Sequence, residues 1–275
     1  MKRLLIIFFS IVLLASCQKD DRVNALEETV VTYKVQPSVS FEVKSPGEAT
    51  AINVLWYGVY HKKAIGEYKG EYKYMNDMSA FVEVTDPANI QVPITLIKGQ
   101  EYKLVFVAQH RIQSANDDNV YTYTVNQDGL MTLNTEAKIT SGEQLDAFVY
   151  VDTVGPIVGN ENKNIVLERP VAQINVATSA TELPQTLDLT LEGMPKSYNV
   201  FTETYSEEKT TLALTAQKPI GGQLEVGNTK YNRLSTVYVF GGNKINCTIQ
   251  YGTTTRTISN IDTAPNHKTN IVGNI

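Results

Sequence analysis

The sequence predicts an all-β protein of sandwich architecture, and three observations carry that reading. Beyond Met1–Cys17, no stretch holds apolar residues at a sustained helical spacing. Short runs rich in β-branched and aromatic residues alternate apolar with polar instead, the pattern of strands with one buried face. Turn signals punctuate the runs, among them Ser45-Pro46-Gly47, Asp86-Pro87, Gly155-Pro156, Gly241-Gly242-Asn243 and Gly252-Thr253. Many short strands joined by such turns indicate β-sandwiches. With 275 residues, 42% of them hydrophobic, the chain can fill one large core or two ordinary ones.

The stretch Asn164 to Thr178 divides the chain. Ile165 and Leu167 share one parity, whereas Ile174 and Val176 share the other. Side chains of a strand alternate faces, so a phase flip means that the segment cannot serve one sheet along its whole length. Pro170, which lacks a ladder donor, sits at the change. One extended segment therefore closes a first β-domain and opens a second near Ile165. The expected division is a signal peptide at 1–16, a tether and leader at 17–37, and sandwiches at 38–164 and 165–275.

Taken in order, Val31, Tyr33 and Val35 alternate in the leader, either as a strand that is removed or as a permanent edge strand. Val39, Phe41 and Val43 alternate next. Ile52, Val54, Trp56 and Tyr60 share one face of a strand and Leu55, Tyr57 and Val59 the other, so this strand is buried on both sides. Tyr68 to Met78, interrupted by Gly66 and Gly70 just before and within it, reads as exposed loop or edge hairpin. Strands follow at Phe81–Val84, Ile90–Ile97, Tyr102–Ala108, Val120–Val125 and Leu145–Val151. In the second half Leu187, Leu189 and Leu191 share a face, as do Leu212, Leu214 and Ala216. Leu234–Phe240, Lys244–Tyr251, Thr254–Ile261 and Lys268–Ile275 complete the set.

The N-terminus is a signal. Lys2 and Arg3 precede an apolar run, Leu4–Leu14, too short to span a bilayer. Leu14-Ala15-Ser16-Cys17 follows the lipobox pattern of bacterial lipoproteins, which makes Cys17 the lipid attachment residue. The alternative is an ordinary cleavage near Ala15. Several acyl chains on Cys17 would anchor the protein stably to a membrane. Gln18-Lys19-Asp20-Asp21 is then a solvated tether or an export signal. Cys247, on the apolar face with Ile245, Ile249 and Tyr251, reads as a small core residue.

Four segments carry a family resemblance. Arg169-Pro170-Val171-Ala172-Gln173-Ile174-Asn175-Val176 resembles the "RPFAQINV" strand of fimbrillin-like lipoproteins of Bacteroidetes, in their uncharacterised-domain (DUF6562-like) branch. Gly99 to Gln109 is similar to that family's "GQTYxxVFWAQ" strand, with Val107 where tryptophan is usual. Asp146-Ala147-Phe148 matches its "DAF" step, and Asn266 to Asn274 its closing "NYRTNIIGN". The resemblance covers roughly Ser38 to Ile275. It implies two tandem transthyretin-like (Greek-key) sandwiches, export to the outer face of the outer membrane through Gln18, Lys19, Asp20 and Asp21, and assembly by strand exchange. It implies no catalytic residue. Asp152-Thr153-Val154 and Asp262-Thr263-Ala264 resemble the O-glycosylation acceptor of the same bacteria, with Thr153 and Thr263 as the glycan-bearing residues.

Chemistry is otherwise sparse. The net charge of −5 and the absence of a basic stripe argue against nucleic acid. His61, His110 and His267 lack partners at metal spacing, so no metal or cofactor is expected. Asp117-Asp118 lacks the alternating spacing of a calcium loop. No nucleophile elbow or Cys/His pair appears, and the chain is read as a non-enzyme. Trp56, Tyr57, Tyr60, Tyr68, Tyr72 and Tyr74 form an aromatic group, with Trp56, Tyr57 and Tyr60 as the candidate binding surface, although aromatic residues are also ordinary strand packing. The expected function is a surface-exposed outer-membrane lipoprotein, a fimbrillin-like anchor, accessory subunit or adhesin. Its partners are the membrane and either similar subunits or a surface ligand. The alternative is a glycan-binding lipoprotein of a carbohydrate-uptake system.

Overall fold

The computed structural model describes residues 26–38, 52–113 and 119–274. Among these, regular structure is strand apart from one 3-10 turn, Gly142–Leu145. The first half contains β1 (Glu28–Pro37), β2 (Val54–Lys62), β3 (Tyr72–Glu83), β4 (Ile90–Ile97), β5 (Tyr102–Gln109), β6 (Arg111–Gln113), β7 (Asn119–Tyr121), β8 (Tyr123–Val125), β9 (Leu130–Leu133), β10 (Phe148–Val154) and β11 (Glu161–Leu167). The second half contains β12 (Val171–Thr178), β13 (Leu187–Pro195), β14 (Ser197–Asn199), β15 (Thr204–Tyr205), β16 (Lys209–Gln217), β17 (Gln223–Val226), β18 (Thr229–Phe240), β19 (Asn243–Tyr251), β20 (Thr254–Thr263) and β21 (Lys268–Gly273).

Two pairs of sheets make the sandwich layers. In the first half β11-β1-β4 faces β10-β5-β2-β3, and in the second β17-β18-β12-β21 lies with β16-β13-β19-β20. A smaller sheet, β15-β14-β9-β8, joins strands of both halves by main-chain hydrogen bonds. The first core gathers Tyr33, Leu55, Leu104, Phe106, Ile165 and Leu167. The second gathers Ile174, Val176, Leu189, Val237, Cys247 and Ile249, and continues onto Trp56, Tyr60, Val105 and Val107 of the first half. β2 and β5 are thus buried on both faces, as expected for β2.

The phase flip marks the exchange of cores. Ile165 and Leu167 point into the first, Ile174 and Val176 into the second. The change falls at Glu168–Pro170, since β11 stays paired with β1 through Leu167. Three expectations change. Tyr72 to Glu83 is one twelve-residue edge strand, its pairing with β2 broken by a register shift between Tyr57 and Val59. The strand expected at Val120–Val125 is split in two, because Thr122 turns inward and donates its hydroxyl to the His110 carbonyl. β1 is the middle strand of its sheet, not an edge. The run at Val39–Val43 lies outside the described residues.

Candidate functional site

The leader strand lies in a groove between two strands that do not pair with each other. β1 runs parallel to β11 and antiparallel to β4, over most of its length. Its odd-numbered side chains Val31, Tyr33 and Val35 are fully buried. Tyr33 packs on Phe106, with ring centroids 4.8 Å apart. Its hydroxyl donates to Asp152 Oδ2 of the opposing sheet at 2.7 Å, and Lys163 Nζ of β11 donates to the same oxygen at 2.7 Å. Burial, then the bond to the Asp152 carboxylate, pushes the Tyr33 pKa far above its ordinary value. Near the start of the strand, Thr29 and the Val30 amide both donate to Asn160 Oδ1, and Lys98 pairs with Glu27. Those contacts tie β1 to β5, β10 and Asn160, and tie Glu27 just before it to Lys98.

The junction between the cores brings two of the family-like segments together. Arg169 donates from Nε to Asp146 Oδ1 at 2.7 Å and from Nη2 to Oδ2 at 2.9 Å, with both side chains almost wholly buried. The guanidinium also lies 4.2 Å from the centroid of Phe148. Burial pushes the Asp146 carboxyl up, and the Arg169 guanidinium offsets only part of that rise. Gln173, Asn175, Thr236 and Asn270 continue the polar seam. The Asn175 amide oxygen accepts from both Gln173 and Thr236, and its nitrogen donates to Asn270, each at 2.8 Å. The polar positions of the segments therefore hydrogen-bond to one another across β12, β18 and β21, and the sequence pattern alone could not pair them.

Trp56, Tyr57 and Tyr60 do not share one exposed face, whereas Tyr68 is exposed and Tyr72 and Tyr74 are partly exposed. Trp56 and Tyr60 are buried in the second core, and Tyr57 turns to the opposite side of β2 and packs on the first. The Trp56 ring lies across its own strand: a Cβ at Gly58 would fall 2.4 Å from it. Phe201 from the second half closes over this face. It meets Tyr60 edge-on at 4.9 Å, and a Cβ at Gly129 would fall 2.5 Å from its ring. Phe201 was not singled out from the sequence, because nothing around it signals a contact with β2.

The two Asp-Thr triplets also separate. Thr263 is buried and its hydroxyl donates to the Asn243 carbonyl at 2.5 Å, so it is not accessible for modification in the folded chain. Thr153 is exposed on β10 opposite Lys103. Native protein is accordingly expected to carry glycan at Thr153 alone. Intact-mass analysis should show extra mass that disappears in Thr153→Ala and persists in Thr263→Ala; the reverse pattern would refute the assignment.

Cys247 is buried, and burial pushes its thiol up to about 12, the behaviour of an inert core residue. His61 Nε2 lies 3.0 Å from Gln100 Oε1, and His267 Nδ1 lies 2.7 Å from the Pro265 carbonyl. No group of three or more potential metal ligands occurs among the described residues. No helix among them is long and apolar enough to cross a membrane. Cys17, Gln18, Lys19, Asp20, Asp21 and the Asp117-Asp118 pair lie outside the described residues.

Paired sheets, a leader strand embedded in the first of them and a buried ionic junction define an all-β sandwich protein of the architecture found in adhesin-like proteins. One solved structure of this kind, a candidate polysaccharide-binding protein (DUF1812) from Bacteroides thetaiotaomicron, matches with a TM-score of 0.52 at 12% identity, over 85% of this chain and 80% of that one. A candidate adhesin from the same organism matches with a TM-score of 0.50 at 11% identity, over 85% and 79% of the two chains. The chain belongs to DUF6562, a family of unknown function whose model matches residues 34–275. No curated protein matches it.

Proposed function

We propose that this chain is a lipid-anchored, surface-exposed outer-membrane protein that serves as a fimbrillin-like anchor, accessory subunit or adhesin and joins its neighbours by β-strand addition. The observation that carries this reading is the position of β1. A central strand near the N-terminus, flanked by two strands that do not pair with each other, occupies a groove shaped for a strand. Main-chain hydrogen bonds along both sides of such a groove supply affinity for any strand that enters it. The division into two tandem transthyretin-like domains belongs to the same proposal.

The leader stays in place in this reading. Tyr33, Asp152 and Lys163 tie β1 across both sheets of the first half. Retaining β1 also keeps the body joined to Cys17, as suits an anchor rather than a stalk repeat. N-terminal sequencing of protein from purified surface material tests this. A blocked, lipidated terminus is the expected result. A free terminus between Val23 and Val35 in high-molecular-weight ladders would instead identify a polymerising stalk subunit.

Membrane attachment has its own test. An alkyne fatty acid should label the wild type and spare Cys17→Ala. With Lys19, Asp20 and Asp21 changed to alanine, the protein should remain in the outer membrane but resist protease added to intact cells. Equal labelling of wild type and Cys17→Ala would remove the lipid anchor, and unchanged protease sensitivity would remove the sorting role.

A second reading, a surface glycan-binding lipoprotein, is favoured by one observation: partly exposed aromatic rings cluster around a lysine on the outer face of the β10-β5-β2-β3 sheet.

A further inference from the structure

The geometry points to Lys103 as the centre of a binding subsite for an acidic saccharide, a pyranose carrying a carboxylate. This deepens the glycan-binding reading and is independent of strand addition. Lys103 stands on β5 in a cross-strand row that runs Tyr74, Tyr60, Lys103, Thr153 over the outer face of its sheet. Its ammonium lies 4.8 Å from the centroid of the Tyr72 ring and 4.6 Å from that of Phe201. One ring comes from edge strand β3 and the other from the second half of the chain, so the site exists only where the two halves meet, a favoured place for ligand sites.

Three other lysines of the first half are paired with carboxylates: Lys62 with Glu101 at 2.6 Å, Lys73 with Glu71 at 3.0 Å and Lys163 with Asp152 at 2.7 Å. Lys103 has no carboxylate within ion-pair distance among the described residues. Two aromatic faces have displaced part of its hydration, which makes an unpaired cation a stronger attractor of anions than one in open water. Burial is the main cause that raises the Tyr60 pKa, and the Tyr74 and Asp128 charges add to it. The groups around the ammonium select a sugar over a simple anion. Tyr72, Tyr74 and Phe201 are each partly exposed and offer apolar ring surface beside the cation. A uronate ring presents a carboxylate and an apolar C–H face together.

Calorimetric titration of the full-length chain with trimers of galacturonate and of mannuronate tests this, with neutral galactotriose and inorganic phosphate as comparators. At least one acidic trimer should bind, and galactotriose and phosphate should bind about tenfold more weakly or worse, the scale of one charge-assisted contact and its flanking rings. Lys103→Met should weaken the acidic trimer by about tenfold and abolish its salt dependence, while Lys103→Arg retains both. Tyr72→Leu, on an edge strand, supplies a second variant that should also weaken binding. Unaltered binding in both Lys103→Met and Tyr72→Leu would overturn the proposal, as would no binding of either acidic trimer. Phosphate binding as tight as the trimers would reduce the site to an unspecific anion contact and overturn it equally. None of these failures bears on the fate of the leader strand, which N-terminal sequencing reads separately.

Discussion

Replacing Asp146 with alanine is expected to lower the unfolding free energy by about 3–5 kcal/mol, the range for removing one partner of a buried ion pair. The carboxylate accepts two bonds from Arg169, whose side chain has no measurable exposure. Without it the guanidinium keeps its charge, since arginine does not deprotonate in proteins, and is left without its carboxylate inside the protein. Arg169→Met removes the charge as well as the pair and should be less damaging. The double change Asp146→Leu with Arg169→Met should recover most of the loss, because well-packed apolar residues can replace a buried pair at little cost. Urea unfolding of the four proteins gives the comparison. A loss below about 1 kcal/mol for Asp146→Ala would mean that the junction does not depend on the pair.

Deleting residues 26–37 should have the largest effect on the first half. It removes the middle strand of a three-stranded sheet and with it three fully buried side chains, Val31, Tyr33 and Val35. Each buried side chain of this size contributes about 1.5–3 kcal/mol, and the ladder bonds on both sides go with them. The deleted protein should therefore melt at a lower temperature and self-associate through the exposed edges of β4 and β11. A synthetic peptide of sequence Glu28–Pro37 should bind it and restore the melting temperature. A peptide with Val31, Tyr33 and Val35 changed to serine should not, because strand addition is specified by the side chains that fill alternate pockets. An unchanged melting temperature after deletion, or equal rescue by both peptides, would refute the groove.

These two expectations differ in how far the sequence reaches them. The alternation of Val31, Tyr33 and Val35 marked a strand with one buried face, but it is silent about which strands flank it. That β1 lies between β4 and β11, in parallel register with residues such as Lys163 and Ile165, depends on pairing between distant segments. The tie from Tyr33 to Asp152 spans 119 positions. The segments around Asp146 and Arg169 each stood out, and nothing in either signalled that they meet.

Local periodicity reports which residues share a face, and that much the sequence determined by itself. It gave the all-β class, the phase flip that sends Ile165 and Leu167 into one core and Ile174 and Val176 into the other, and the core position of Cys247. Only the tertiary structure decided what covers each face. Trp56 and Tyr60 could have been an exposed platform until Phe201 of the second half and the lining of the second core closed over them. Thr153 and Thr263 share a triplet pattern, yet one hydroxyl faces solvent and the other is held by the Asn243 carbonyl. Lys103 alternates with its neighbours like any strand lysine, and its placement between Tyr72 and Phe201 exists only once the halves are docked. The physical reason is common to all of these: alternation is imposed by the geometry of a single strand, whereas burial, pairing and charge balance are set by residues that the chain brings together from far apart.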